Sequence, residues 1–558
     1  MKRFFKYIFI TLCSVAMGAS LQSCINDEMM PCPDPGLGGD LATPNPQYFI
    51  EVDIEVPTDK PASRAANSPD PLAAEKEYLV EKVALYFLQA PDATNPTADD
   101  NKVLFTLSSA VAGSSVTRDT EDTEHYKYTA KIKVDQYGFD GLASLAGKKI
   151  NLFVVCNPDV FTTQNLAKDG KAEEGTFSTQ ETVTPIQGFG DDNMGKVLPM
   201  ANAKNYILEG DGSFESIDPT NASTDDIIAG IKSLFSVKGT EMIKDLGALD
   251  VERCVARFDI ADSEAGADAK GNTTHLAKNS WTYKVNDKYA TTSSPELWIK
   301  LNSVTPVNVS ASSYVGRHIA TEGTNNATTE YVFLGDKDPT ADQDYWFVDP
   351  SWTYVAADGY SRNTSGFINP ITITDTQKGV YGVTTKTYQT TIADITKAGK
   401  NTIEEYYPWH YIPENTLLGD TYWSEANRPF NATGVAFKFM VMDKSGTNAL
   451  TYGSTNNPKE VSYVDAETKK IRITNAKGEY VELLPEEGKY YLTYYGFITH
   501  KDNENKSPMV YSVVRNTVYQ LKVNSITSLP FPEEPDTYFL NLDIKILAWV
   551  KRDIEIIF

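Results

Sequence analysis

Tyr48-Phe49-Ile50-Glu51-Val52-Asp53-Ile54-Glu55-Val56 is the stretch that decides the fold class. Ile50, Val52, Ile54 and Val56 fall on one face of an extended chain, and Glu51, Asp53 and Glu55 fall on the other. That period of two is the signature of a strand buried on one side. Pro57 and Pro61 end it, and a polar stretch containing Arg64-Ala65-Ala66 follows up to Pro71.

Further strands are expected over Val80–Leu88, Lys127–Val134 and Lys149–Cys156. Residues 157–245 are less regular, although Ile227, Ile228, Ile231, Leu234 and Phe235 take helical spacing. They predict a short helix over 224–235 with Thr224 or Asp225 as its N-cap. A new strand is expected near Val251, and all seven Trp lie beyond it, which places a boundary near residue 248. The second half continues with strand-like runs at Glu296–Leu301, Gly434–Val441, Tyr490–Phe497 and Val513–Val523. Residues 302–430 hold few strong apolar runs and are expected to form long loops. After the Pro-rich segment 530–535, Tyr538 to Phe558 reads as two strands. In the first of them Leu540, Leu542, Ile544 and Ile546 alternate with Asn541, Asp543 and Lys545. With 31 Tyr and 24 Phe, the composition favours strands as well.

The chain of 558 residues has 51 basic and 75 acidic residues, a formal charge of −24. Such acidity repels phosphate backbones and argues against nucleic acid as a partner. Five Cys and five His are too few and too scattered for a disulfide framework or a zinc cluster. Cys156 and Cys254 read as buried strand cysteines, with a bond between them left open. No Gly-x-Ser-x-Gly elbow, His-Glu-x-x-His or phosphate loop occurs, and the Asp pairs at 99–100 and 191–192 lack a calcium-loop pattern. An enzyme, a cofactor and a metal site are therefore not expected. A glycan-binding surface lipoprotein is the alternative reading, with Trp346, Trp352, Trp409 and Trp423 as stacking candidates.

The first 23 residues read as a signal peptide. Lys2, Arg3 and Lys6 precede a short apolar run, and Leu21-Gln22-Ser23-Cys24 is a lipobox. The Cys24 thiol would carry the diacylglycerol, and the acyl chains would hold the precursor on the outer membrane. Residues 25–47 read as a tether.

The two ends of the chain suggest a mechanism. Each carries an alternating strand, at 48–56 and 538–547, joined to the body by a Pro-rich polar linker. A strand removed from a sheet leaves unpaired N–H and C=O groups over open core, and a neighbour's strand can fill the gap. Arg64 stands where an Arg-specific protease could cut, before Ala65. The plain alternative is that both are ordinary edge strands and Arg64 an ordinary linker residue.

Several segments carry a resemblance to a known family. They are the lipobox, Ser63-Arg64-Ala65, Val80-Glu81-Lys82-Val83-Ala84-Leu85-Tyr86, the run Gly147–Asn157, and Val251-Glu252-Arg253-Cys254-Val255-Ala256-Arg257. The tail adds Val514-Arg515-Asn516-Thr517-Val518-Tyr519 and Ile544-Lys545-Ile546-Leu547-Ala548-Trp549. In this order the chain resembles the Bacteroidales fimbrillins, in particular the major structural subunit of the short fimbriae, which usually has Pro where Ala548 stands.

The resemblance implies an all-β fold of two transthyretin-like β-sandwich domains in tandem. It implies a signal peptide over 1–23, a propeptide over 24–64, domains over 65–248 and 249–529, and a linker with donor strands over 530–558. It also implies lipidation at Cys24, cleavage between Arg64 and Ala65, and polymerisation with identical or related subunits through Leu540, Leu542, Ile544 and Ile546. The product would be an extracellular fimbria serving adhesion and biofilm formation.

Overall fold

The computed structural model describes residues 46–548, apart from 57–76, 91–102, 121–125, 159–181, 184–196, 268–272, 288–295, 322–331, 334–344, 398–405, 418–423, 500–510, 532–540 and shorter interruptions. Its regular structure is mainly β-strand, as the alternation and the Tyr-rich composition suggest. Among the described residues no helix is long and apolar enough to cross a membrane.

The first 260 residues supply a sheet whose main path holds eight strands. In chain order these are β1 (Gln47–Val56), β2 (Val83–Gln89), β3 (Val103–Ser108), β4 (Ser115–Arg118), β5 (Tyr126–Val134), β6 (Ile150–Cys156), β7 (Met200–Asn202) and, after a hairpin strand β8 (Ser236–Lys238), β9 (Glu241–Arg253). The spatial order is β3-β2-β6-β7-β9-β1-β5-β4, with β8 paired to β9. β1 therefore lies inside the sheet and is not an edge strand. Its apolar face joins a core that includes Leu85, Phe87, Ile132, Leu152 and Val154.

Two helices close this core. α1 (Gln136–Ala143) is capped by Asp135, whose carboxylate accepts from the Gly138 N–H. α2 (Thr224–Ser233) is the expected helix, but its N-cap is Ser223 rather than Thr224 or Asp225. Ser223 and Asp226 satisfy each other's free N–H groups in a capping box.

The strand expected to start near Val251 starts ten residues earlier, at Glu241. Its register against β1 shifts between Glu51 and Asp53, with Gly247 at φ +84° on the β9 side. The buried residues then recur as Ile243, Leu246, Leu249 and Val251, a spacing that hides the strand from a period-two reading.

The later part of the chain has its own core, from Ala256 to Ile544. One of its sheets has the order β12-β10-β15-β16, where β10 is Ala256–Ala261, β12 is Tyr407–Ile412, β15 is Thr517–Ser525 and β16 is Asn541–Ala548. A facing sheet includes β11 (Trp298–Val307), β13 (Gly434–Val441) and β14 (Tyr491–Phe497). The stretch 302–430, expected as long loops, instead carries short hairpins, such as Trp352–Val355 with Gly359–Arg362 and Ile371–Asp375 with Val380–Val383. Of the two strands expected in the tail, β16 is present, and residues beyond it lie outside the description. Cys156 and Cys254 are both buried free thiols. Burial raises both thiols, Cys254 to about 12, so neither is a thiolate at neutral pH.

Candidate functional site

The seat of β1 has two walls. On one side β1 runs parallel to β9, from Gln47 opposite Glu241 to Glu55 opposite Asp250. On the other it runs antiparallel to β5, from Tyr48 opposite Val134 to Val56 opposite Tyr126. Both sets of β1 backbone groups are thus engaged, which a sheet-edge strand cannot achieve.

Its side chains fill the seat on three levels. Inward, Ile50, Val52, Ile54 and Val56 are at most 1% exposed and share a core with Ala130, Ile132, Val134, Leu246, Leu249 and Val251. At the leading end, the Tyr48 ring stands edge-on to Phe139 at 5.1 Å and to Phe235 at 5.4 Å. Outward, Phe49 is buried beneath the Lys131 ammonium, 4.3 Å from the ring centre. Further along this outer face Glu51 pairs with Lys238 at 2.7 Å and Glu55 with Lys127 at 3.2 Å. Between them the Thr129 hydroxyl donates to Asp53 at 2.7 Å. Glu51 raises the Lys238 pKa through that hydrogen bond and its charge. β1 thus presents three acids to basic and hydroxylic partners on β5 and β8, while on β9 Glu51 faces Asp245 and Glu55 faces Asp250, whose pKa burial and the Glu55 charge raise.

The segment that returns from the linker is fastened beside the far end of β1. Tyr78 stacks on Tyr126 at 4.1 Å, and the Arg253 guanidinium lies 5.0 Å from the Tyr78 ring. Arg253 donates to the Glu77 carbonyl at 2.9 Å. The Glu77 carboxylate reaches the later core, where it accepts from Arg257 at 2.8 and 3.0 Å and from the Tyr411 hydroxyl. Arg257 is further held by Asp259 at 2.8 and 2.9 Å. These groups are buried, and their ion pairs and hydrogen bonds answer one another's charges.

β16 occupies a lesser position. Among the described residues it is the outer strand of its sheet and pairs with β15, from Thr517 opposite Ala548 to Ser525 opposite Asn541. Leu542 and Ile544 are buried in the later core. Leu542 rests on Gly496, where an added Cβ would come within 2.0 Å of Leu542 Cδ1.

The residues expected to act divide accordingly. Cys24, Arg64, Ala65 and Leu540 lie outside the described residues. Leu542 and Ile544 are placed in β16, and so is the backbone of Ile546. Trp352 and Trp409, offered as sugar-stacking candidates, are at most 2% exposed and belong to the packing, so they present no face to a glycan. Two features escaped the sequence reading: the interior position of β1 and the Glu77–Arg257 junction. The charged residues inside the otherwise apolar run Val251–Arg257 were the available signal for the second.

The described residues thus form an all-β fold whose first strand is seated between two neighbours and whose last described strand lies at the edge of its sheet. The C-terminal part of the chain, residues 486–555, matches the family model described as Major fimbrial subunit protein type IV, Fimbrillin, C-terminal. The resemblance to fimbrillins, structural subunits of fimbriae, is thereby upheld, and it points to a structural protein rather than an enzyme.

Among solved structures, a fimbrilin of Porphyromonas gingivalis W83 aligns at 11% identity and a TM-score of 0.35, covering 90% of this chain and 98% of that one. A Parabacteroides distasonis protein, described as a candidate cell adhesion protein, aligns at 13% and 0.37, covering 90% and 100%. The C-terminally truncated tip fimbrial protein Mfa3 of Porphyromonas gingivalis aligns at 10% and 0.28, covering 90% and 100%. A comparison with curated protein sequences finds no match.

Proposed function

We propose that the chain is a structural pilin subunit of a surface fimbria whose polymerisation exchanges β1 for the C-terminal strand of a neighbour. The observation that carries this reading is the position of β1. It is an interior strand with a ladder on each side, and its chain runs directly into the segment 57–76 that contains Arg64. Cutting between Arg64 and Ala65 severs β1 from the body while Glu77 and Tyr78 keep the remaining chain anchored. Loss of β1 opens a two-sided slot over apolar core, which a strand with the inward set Leu540, Leu542, Ile544 and Ile546 suits.

In this reading Cys24 is lipidated, the precursor sits on the outer membrane, an Arg-specific protease matures it, and the polymer is extracellular. The reading takes the sandwich domains as 65–248 and 249–529, and two separate large cores, one from Ile50 to Val251 and one from Ala256 to Ile544, support a division of this kind. Adhesion and biofilm formation follow from the fibre, with ligands on host or bacterial surfaces.

The test uses Arg64→Ala and a deletion of 538–558, each assayed for fibres sheared from cells. Both are expected to abolish the heat-labile ladder of oligomers. An unchanged ladder in either variant overturns the exchange.

A further inference from the structure

We infer that the strand received from the neighbour is a sequence copy of β1 and takes its seat residue for residue, with Tyr538 in the place of Tyr48. This rests on the exchange proposed above and specifies its register. The observation is an internal repeat. Tyr538-Phe539-Leu540-Asn541-Leu542-Asp543-Ile544-Lys545-Ile546 aligns without a gap on Tyr48-Phe49-Ile50-Glu51-Val52-Asp53-Ile54-Glu55-Val56. Tyr, Phe, Asp and Ile are identical at four of the nine positions. Three of the others exchange one aliphatic residue for another, at 540, 542 and 546.

The match extends to positions where alternation alone makes no demand. Any apolar alternating strand could fill the inward sites of Ile50, Val52, Ile54 and Val56. The seat asks for more. It holds an aromatic ring edge-on between Phe139 and Phe235, a second ring beneath Lys131, and a carboxylate within reach of the Thr129 hydroxyl. Tyr538, Phe539 and Asp543 supply these three groups at the right spacing. A register shifted by two residues keeps the aliphatic face inward but loses all three.

Direction follows as well. The N-terminal end of the incoming strand is tied to its own subunit through residues 530–537. Residue-for-residue replacement makes it parallel to β9 and antiparallel to β5, as β1 is.

The two departures fall on the charged rim. Asn541 stands for Glu51, which pairs with Lys238, and Lys545 stands for Glu55, which pairs with Lys127. Lys545 would face Lys127 on the β5 side, an unfavourable like-charge pair, but on the β9 side it would replace the Glu55 charge that faces Asp250 and adds to burial in raising its pKa, so the two changes offset each other.

The experiment pairs Asp543→Cys with Lys127→Cys, Thr129→Cys or Lys131→Cys in subunits polymerised after Arg-specific cleavage. Asp53 faces Thr129 in the β1–β5 register, with Lys127 and Lys131 two residues to either side. Facing positions on neighbouring strands are within disulfide reach. In the mature chain the remaining cysteines, Cys156 and Cys254, are buried. Oxidation is expected to give a ladder of disulfide-linked oligomers with Thr129→Cys only.

Asn541→Cys with Lys131→Cys reads the same register, so it decides the matter if Asp543→Cys assembles poorly. Linkage of Asp543→Cys to position 127 or 131, or polymers that never cross-link at any pair, overturns the register while leaving exchange standing. Polymers that still form without 538–558 overturn the exchange itself.

Discussion

Ile54→Ala separates the precursor from the mature subunit. Ile54 is fully buried between β5 and β9, and its side chain is part of the core shared with Ile132 and Leu249. Truncating such a residue costs about 2–5 kcal/mol, transfer and cavity terms together. In the chain that retains β1, the denaturant midpoint should fall accordingly with the slope unchanged. After cleavage at Arg64 and exchange, residue 54 is no longer part of the subunit. Fibres assembled from the matured variant should then dissociate at the same temperature as the parent.

Ile132→Ala, on the β5 wall of the same seat, is the control. It remains in the mature chain and should weaken precursor and fibre alike. Equal loss of fibre stability in Ile54→Ala and Ile132→Ala would refute the argument, because β1 would then still occupy its seat in the polymer.

Other sites give independent checks. His410 is buried against Tyr388 and Trp409, and desolvation lowers its pKa from 6.5 to about 3. Above pH 6.5 the imidazole is neutral folded or unfolded. As pH falls below 6.5 only the unfolded chain gains the proton, so stability drops by roughly 1.4 kcal/mol per pH unit towards pH 3. About 2 kcal/mol should be lost at pH 5, and His410→Gln should remove that part of the slope in denaturant titrations at several pH values.

Glu77→Ala strips a buried carboxylate from Arg257 and should cost about 3–5 kcal/mol in both precursor and mature chain. The same loss in both forms distinguishes it from Ile54→Ala. Gly496→Ala places a methyl against the flexible end of Leu542. Amide exchange should accelerate in 541–548 and stay unchanged in β1, β5 and β9.

The alternation of Ile50, Val52, Ile54 and Val56 made β1 legible, because a strand buried on one face writes its period into the sequence. Its interior position was not legible. That depends on β9, nearly two hundred residues later, whose buried residues lose the period of two at the irregularity near Gly247. The N-cap of α2 was misread by one or two residues because Ser223, Thr224 and Asp225 are all plausible caps, and only the reciprocal bonds to Asp226 decide among them. The Glu77–Arg257–Asp259 junction joins distant parts of the chain, so no local pattern announces it. The likeness of 48–56 to 538–546 was present throughout. A reading of polarity alone passes over it, since alternation treats Tyr538 and Phe539 as two more apolar residues.

The N-terminal sequence of the protein sheared from the cell surface as intact fibres tests the account most directly. Strand exchange after cleavage predicts a chain beginning at Ala65, with 24–64 absent from the fibre. Fibres whose subunits still begin at a lipidated Cys24, with no cut in 57–76, would contradict it.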